Sequence, residues 1–167
     1  MGIPNLSEAC VQRINEITGL ELALDAGHTT QFDYLGRPVL LRFLPEFSVC
    51  VVHAQLETLE EAALPGALAE LLEANFMLSS TCGGALSWSQ ETRMAAINFF
   101  LPLADTDADG FISRLNRVLA VTDEWTQRIR DMNAQAVENA ARRLVRLRNG
   151  TAADAPVMQQ HIQMIRA

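Results

Sequence analysis

Residues 105–112 read Asp-Thr-Asp-Ala-Asp-Gly-Phe-Ile and place carboxylates at Asp105, Asp107 and Asp109 with Gly110 directly after. This is how a calcium-wrapping loop opens, because a hard dication needs several carboxylate oxygens gathered around it. Two features oppose that chemistry. The position that should hold a bidentate glutamate is Asn116, and the residues leading into the loop read as a strand rather than a helix. The same residues make a good strand-to-helix connection, with Asp109 capping the helix and the negative charge favouring its N-terminus. This reading is preferred, so no cofactor is expected, and the three aspartates are kept as a weak metal candidate. A calcium-responsive or sequestering regulator built on residues 105–110 is the alternative function.

The remaining reactive side chains are scattered. Of His28, His53 and His161, His53 sits in a predicted strand with no Ser, Cys, Asp or Glu at a motif offset, and no GxSxG, HExxH or GxGxxG occurs. No enzymatic activity is expected. Cys10, Cys50 and Cys82 fit no metal or redox spacing and read as free thiols of a reducing compartment. All the basic residues except the histidines are arginines, which excludes Schiff-base lysines and the P-loop lysine. The net charge of −7 and pI of about 4.9 argue against general nucleic-acid binding. Arg142, Arg143, Arg146 and Arg148 cluster late in the chain and read as the solvated C-terminal end of a helix, where cations meet the dipole. No apolar run is long enough to span a bilayer and no signal segment is recognised, so a cytoplasmic protein without membrane insertion is expected.

The elements that must position these groups follow from periodicity. Leu6, Cys10, Ile14 and Ile17 repeat at helical spacing up to Gly19. Residues 29–34, 39–44 and 47–56 read as strands of a meander, with turns at 35–38 and 45–46. The third has two apolar faces, Val49 and Val51 on one and Cys50 and Val52 on the other, so it is either central in a covered sheet or turned toward a partner. Residues 64–79 predict a helix whose broad stripe carries Leu64, Leu68, Leu71, Leu72, Phe76 and Leu78. A hairpin of 85–89 and 93–101 follows, then a long helix keeping one face from Phe111 through Trp125 and Ile129 to Leu147, ended by Asn149-Gly150. The fold class is α+β: an antiparallel twisted sheet with helices packed on it, in the order α-β-β-β-α-β-β-α, plus a C-terminal helical extension. Residues 1–130 form the domain, 131–148 continue the last helix, and 149–167 are a linker and a short tail helix.

Asn75 falls in the middle of the apolar stripe of the second long helix. It either bonds backbone in its own subunit or fixes the register of two packed copies, as a buried Asn does in coiled coils. Trp88 and Trp125 read as core or interface anchors.

Three stretches resemble the class I type III secretion chaperones, the Tir chaperone family. They are Leu71-Leu72-Glu73-Ala74-Asn75-Phe76 followed by Gly83-Gly84-Ala85-Leu86; Phe99-Phe100-Leu101-Pro102-Leu103 with the acidic loop and the helix holding Phe111, Leu115 and Trp125; and Leu22-Ala23-Leu24-Asp25 with a strand pair around Gly36 and Leu56 closing the meander. The resemblance covers roughly residues 5–130. It implies a chaperone for the N-terminal segment of a secreted effector, held extended, soluble and export-competent, and a homodimer formed about the second helix and the strand after it. Leu68, Leu72, Asn75, Phe76 and Trp88 are the interface residues it implies. Effector grooves on the sheet are assigned to Phe32, Tyr34, Val39, Leu41, Phe43, Val49 and Val51, with strand addition at a sheet edge. The export ATPase is a further candidate partner. The helix past Ile129 departs from the family pattern.

Overall fold

In a computed structural model, which describes residues 3–76 and 78–153, the chain forms α1 (Ile3–Thr18), β1 (Thr29–Tyr34), β2 (Arg37–Leu44), β3 (Val49–Thr58), α2 (Leu64–Asn75), β4 (Ala85–Trp88), β5 (Met94–Pro102) and α3 (Ala108–Ala153). The element order is the expected one. The strands make one antiparallel sheet in the order β1-β2-β3-β5-β4. No described helix is long and apolar enough to cross a membrane.

Strand alternation gives the sheet one apolar inner face. Val39, Leu41 and Phe43 of β2 stand opposite Ala54, Val52 and Cys50 of β3, and these in turn oppose Ile97, Phe99 and Leu101 of β5. All nine are buried. α1 covers this face with Leu6, Cys10, Val11 and Ile14, and α3 with Phe111, Leu115, Val118, Trp125 and Ile129. The Phe43 and Phe111 rings meet with centroids 5.7 Å apart. Among the described residues one charge is buried in this layer. Arg37 donates to Thr126 Oγ1 and to the Asp123 carboxylate, which also accepts from the Tyr34 hydroxyl at 2.9 Å. Burial, and then that hydrogen bond, push the Tyr34 phenol up.

Three asparagines, one per helix, hold irregular segments by presenting an amide to backbone as a strand would. Asn15 accepts from Leu22 N at 2.9 Å and donates to Leu22 O at 2.9 Å. Asn75 does the same to Leu86 at 2.8 and 2.9 Å. Asn133 accepts from Glu60 N and donates to Thr58 O at the end of β3. Asn75 thus follows the first of its two expected readings and ties α2 to β4.

Several boundaries differ from expectation. The first turn occupies only Leu35 and Gly36, with φ of 53° and 79°, as in a two-residue type I′ hairpin. Arg37 and Pro38 therefore belong to β2. Pro38 opposes Asp33 one step along from the closing Tyr34–Arg37 pair, a position where β1 asks no N–H of it. A 3₁₀ turn at Pro45–Phe47 delays β3 to Val49. α2 stops at Asn75, with Phe76 already extended, because residues 78–84 must turn back to bring Leu86 to the Asn75 amide. In that return a Cβ on Gly84 would lie 2.6 Å from the Phe99 ring, so only glycine lets the backbone pack there. α3 runs through Asn149-Gly150 to Ala153, since a helical glycine costs only about 1 kcal/mol relative to alanine. The expected tail helix and His161 lie outside the described residues.

Three outcomes follow from this packing. Leu35 is 71% exposed yet held at positive φ, so Leu35→Asn should raise stability by about 1 kcal/mol in urea unfolding. Asn75→Ala strips two partners from Leu86 and should cost about 2 kcal/mol in the same measurement. Burial raises the Cys10 thiol to about 12 and pushes the Cys50 thiol up still more strongly, while Cys82 is exposed. A thiol reagent at neutral pH should therefore label one cysteine in the native chain and three after unfolding; more than one native label would contradict the buried placement.

Candidate functional site: the bare face of the sheet

The face of the sheet turned away from α1 and α3 carries the other half of each strand. Its rows are fixed by register: Gln31–Leu40–His53–Asn98–Ala85, then Thr29–Arg42–Val51–Phe100, then Leu44–Val49–Pro102. Leu40, Leu44, Val49 and Val51 are half-buried by their neighbours alone, and Phe100 is 65% exposed. Phe47, 70% exposed, stands in the adjoining 3₁₀ turn. Arg42 projects among these apolar side chains with no ion-pair partner among the described residues. His53 Nδ1 lies 2.8 Å from Asn98 Oδ1. An apolar strip about three strands wide with one guanidinium in it can bind an extended chain through alternate side chains.

The two edges of the sheet are unequal. Ser89 N bonds Met94 O, so residues 85, 87 and 89 point their backbone groups at β5, and Leu86 and Trp88 point theirs outward. The outward pair of Leu86 is already taken by Asn75. On β1 the hairpin parity turns Thr29, Gln31 and Asp33 outward. Thr29 spends both backbone groups on Asp25, whose side chain and N–H it meets at 2.8 and 2.9 Å. Gln31 and Asp33 keep theirs, against Trp88 alone on β4, so β1 is the more open edge and the one suited to accept a further strand.

The expected groove residues divide between the two faces. Val49 and Val51 lie on the bare face. Val39, Leu41 and Phe43 are 0, 0 and 1% exposed in the core beneath the helices, which corrects their assignment to a groove. Phe32 and Tyr34 share that inner face at its half-buried margin. The error is one of face. Antiparallel pairing sets the odd residues of β2 opposite the even residues of β3, so Val39, Leu41 and Phe43 share a side with Cys50 and Val52 and not with Val49 and Val51, and Leu40, Leu44 and Phe100 are the residues the sequence reading missed. The pairing across the connection from β2 to β3 was the signal that could have found Leu40 and Leu44, since it sets Leu44 opposite Val49 and puts Leu40 on the same side.

α2 presents a second apolar surface. Leu72 and Phe76, one turn apart, are 70% and 78% exposed, whereas Leu68 and Trp88 pack partly against the core. The stripe that looked continuous is therefore split, with Ala67, Leu71 and Ala74 inward.

The acidic loop is a helix start. Asp107, not Asp109, is the cap: its Oδ1 accepts from Gly110 N at 2.8 Å. Asp109 instead pairs with Arg13 at 2.8 Å and ties α3 to α1. Among the described residues no three His, Cys, Asp or Glu side chains gather where they could hold a metal ion. The arginine cluster also sits differently from expectation. Because α3 continues to Ala153, Arg142, Arg143 and Arg146 precede the last turn, where the dipole is felt.

The comparisons with known proteins agree with this architecture. No curated protein matches. Solved structures with the same fold include a chain of the ExsC-ExsE complex, 16% identical, TM-score 0.63, covering 74% of this chain and 92% of that one. A chain of the HopA1-SchA chaperone-effector complex is 15% identical, TM-score 0.60, covering 78% and 98%. A chain of the heterodimeric ExoU-SpcU complex from the type III secretion system of Pseudomonas aeruginosa is 18% identical, TM-score 0.53, covering 73% and 95%. The model of one family matches residues 9–126, most of the chain, and on that match the protein belongs to the Tir chaperone protein (CesT) family.

Proposed function

We propose that this protein is a type III secretion chaperone that binds the N-terminal segment of a secreted effector in extended form, keeping it soluble and export-competent. It does so in the cytoplasm as a homodimer and without catalysis. The observation that carries the reading is the bare sheet face, with Leu40, Leu44, Val49, Val51 and Phe100 uncovered beside an edge strand whose outward backbone groups at Gln31 and Asp33 are unspent. Side chains of an extended segment would alternate into the apolar strip while its backbone adds to β1. This division suits a chaperone, because ladder bonds give affinity that tolerates sequence and the pockets give selection. Membership in the Tir chaperone family and the likeness to chaperone-effector complexes support it. The exposed pair Leu72 and Phe76 supports pairing of two copies through α2, since an apolar helix face of this kind is costly to leave in water.

Co-expression with the secreted protein encoded nearby, followed by limited proteolysis, should recover a complex in which an N-terminal segment of the partner is protected. Phe100→Asp should weaken that complex at least tenfold while changing stability by less than about 0.5 kcal/mol, as a surface substitution does. Gln31→Pro removes an outward N–H that β2 does not use, and should weaken the complex while the chain still folds. Unchanged affinity in both variants would exclude the bare face and the β1 edge as the binding surface.

A further inference from the structure

α3 is 46 residues long, about 69 Å at 1.5 Å per residue. Its last core residues are Ile129 and the half-buried Met132, and the family match ends at residue 126. From residue 137 to 148 every side chain is exposed, including Val137, Leu144 and Val145 at 56, 68 and 50%. A helix this far from its core has no packing of its own to hold it, and in most proteins helical stability comes from an apolar face that is covered.

Beside it runs a trough. Small residues of α2 and the turn before it, Ala63, Gly66 and Ala67, face Ala136, Ala140 and Leu144 of α3 across a space of about 620 Å³. A second depression of about 760 Å³ shares Gly66 and Glu70 with the first and continues along α2 past Glu73 to Phe76. The trough therefore joins the face through which two copies are proposed to pair.

The charges decide the occupant. Residues 57–73 hold five glutamates and no basic residue, of which Glu57, Glu61 and Glu70 already pair with Arg130, Arg93 and Arg128, whereas residues 142–148 hold four arginines and no acid, with Arg142 paired to Glu138, in a chain of net charge −7. Among the described residues Glu73 has no ion-pair partner, and neither do Arg143 and Arg146. Two α2 helices packed antiparallel about a two-fold axis set the N-terminal end of one beside the C-terminal end of the other. The arginine-bearing part of α3, which lies near the start of its own α2, then arrives beside Glu73 of the second copy.

We infer that residues 137–147 of α3 clamp the dimer, packing along the α2 trough of a second copy of this chain with Arg143 and Arg146 against its acidic rim. This inference rests on the dimer proposed above. Sedimentation equilibrium of the full chain tests it. R143E/R146E should raise the dimer dissociation constant at least tenfold, and adding E73R should recover at least threefold of that loss. Raising salt from about 0.05 to 0.5 M should weaken the wild-type dimer more than the R143E/R146E dimer, since the clamp's charges are exposed and screened. A dimer indifferent to R143E/R146E, or one that E73R weakens further, would overturn the clamp and leave the α2 dimer standing. A wild-type chain that sediments only as a monomer would overturn both.

Discussion

The fold depends on one constraint: a five-stranded sheet covered by α1 and α3 on one side only. Period-two alternation sends Val39, Leu41, Phe43, Cys50, Val52, Ile97 and Phe99 into the core and, by the same geometry, sends their neighbours out. No strand can gain an inner residue without giving up an outer one, so the core and the bare face are specified together. β3 and β5 sit centrally, and their pairing in a single register carries both faces, with the one irregularity falling between Gln55 and Thr58 at the far end of β3.

The helices are attached by two kinds of contact. Large apolar side chains such as Phe111 and Trp125 supply most of the burial, while the asparagines at 15, 75 and 133 fix how irregular segments meet the sheet. An amide that both donates and accepts mimics one residue of a strand, so each bond pair has only one fitting position along the backbone. Trp125 combines both roles. It is buried, its indole N–H donates to Ser80 O at 3.1 Å, and Arg128 lies over its ring at 4.7 Å. The return from α2 to β4 is thereby pinned from two helices.

The order of elements was legible because helical stripes and strand alternation are local signals, and Leu6–Ile14 or residues 29–34 carry them without ambiguity. The bare face was not legible at the level of residues. Val49 and Val51 were identified because β3 is apolar on both sides, but β2 is apolar on both sides too, and its odd residues were grouped with Val49 and Val51 although antiparallel pairing sets them opposite Cys50 and Val52. Proline is a turn former by composition; here it begins a strand at a position where the ladder asks nothing of its nitrogen. The split of the α2 stripe was likewise hidden. Leu71 and Leu72 look equivalent in the sequence, and only the direction from which β4 approaches makes one core and the other surface. The cap shifted by two residues, from Asp109 to Asp107, for a similar reason: alternate aspartates offer several starts, and the Arg13 guanidinium on α1 selects among them.

The Asn75–Leu86 bond pair does more than join a helix to a strand. Occupying the Leu86 groups leaves only those of Trp88 facing outward on β4, too few for a further ladder, so β1 is the end at which a strand can be added and the valence of the sheet is one. A sheet open at both ends can bridge its neighbours into a growing ladder, a hazard for any protein whose work is to meet extended chains. A sheet with valence one ends after a single guest, and its stoichiometry is set by the number of protomers rather than by concentration.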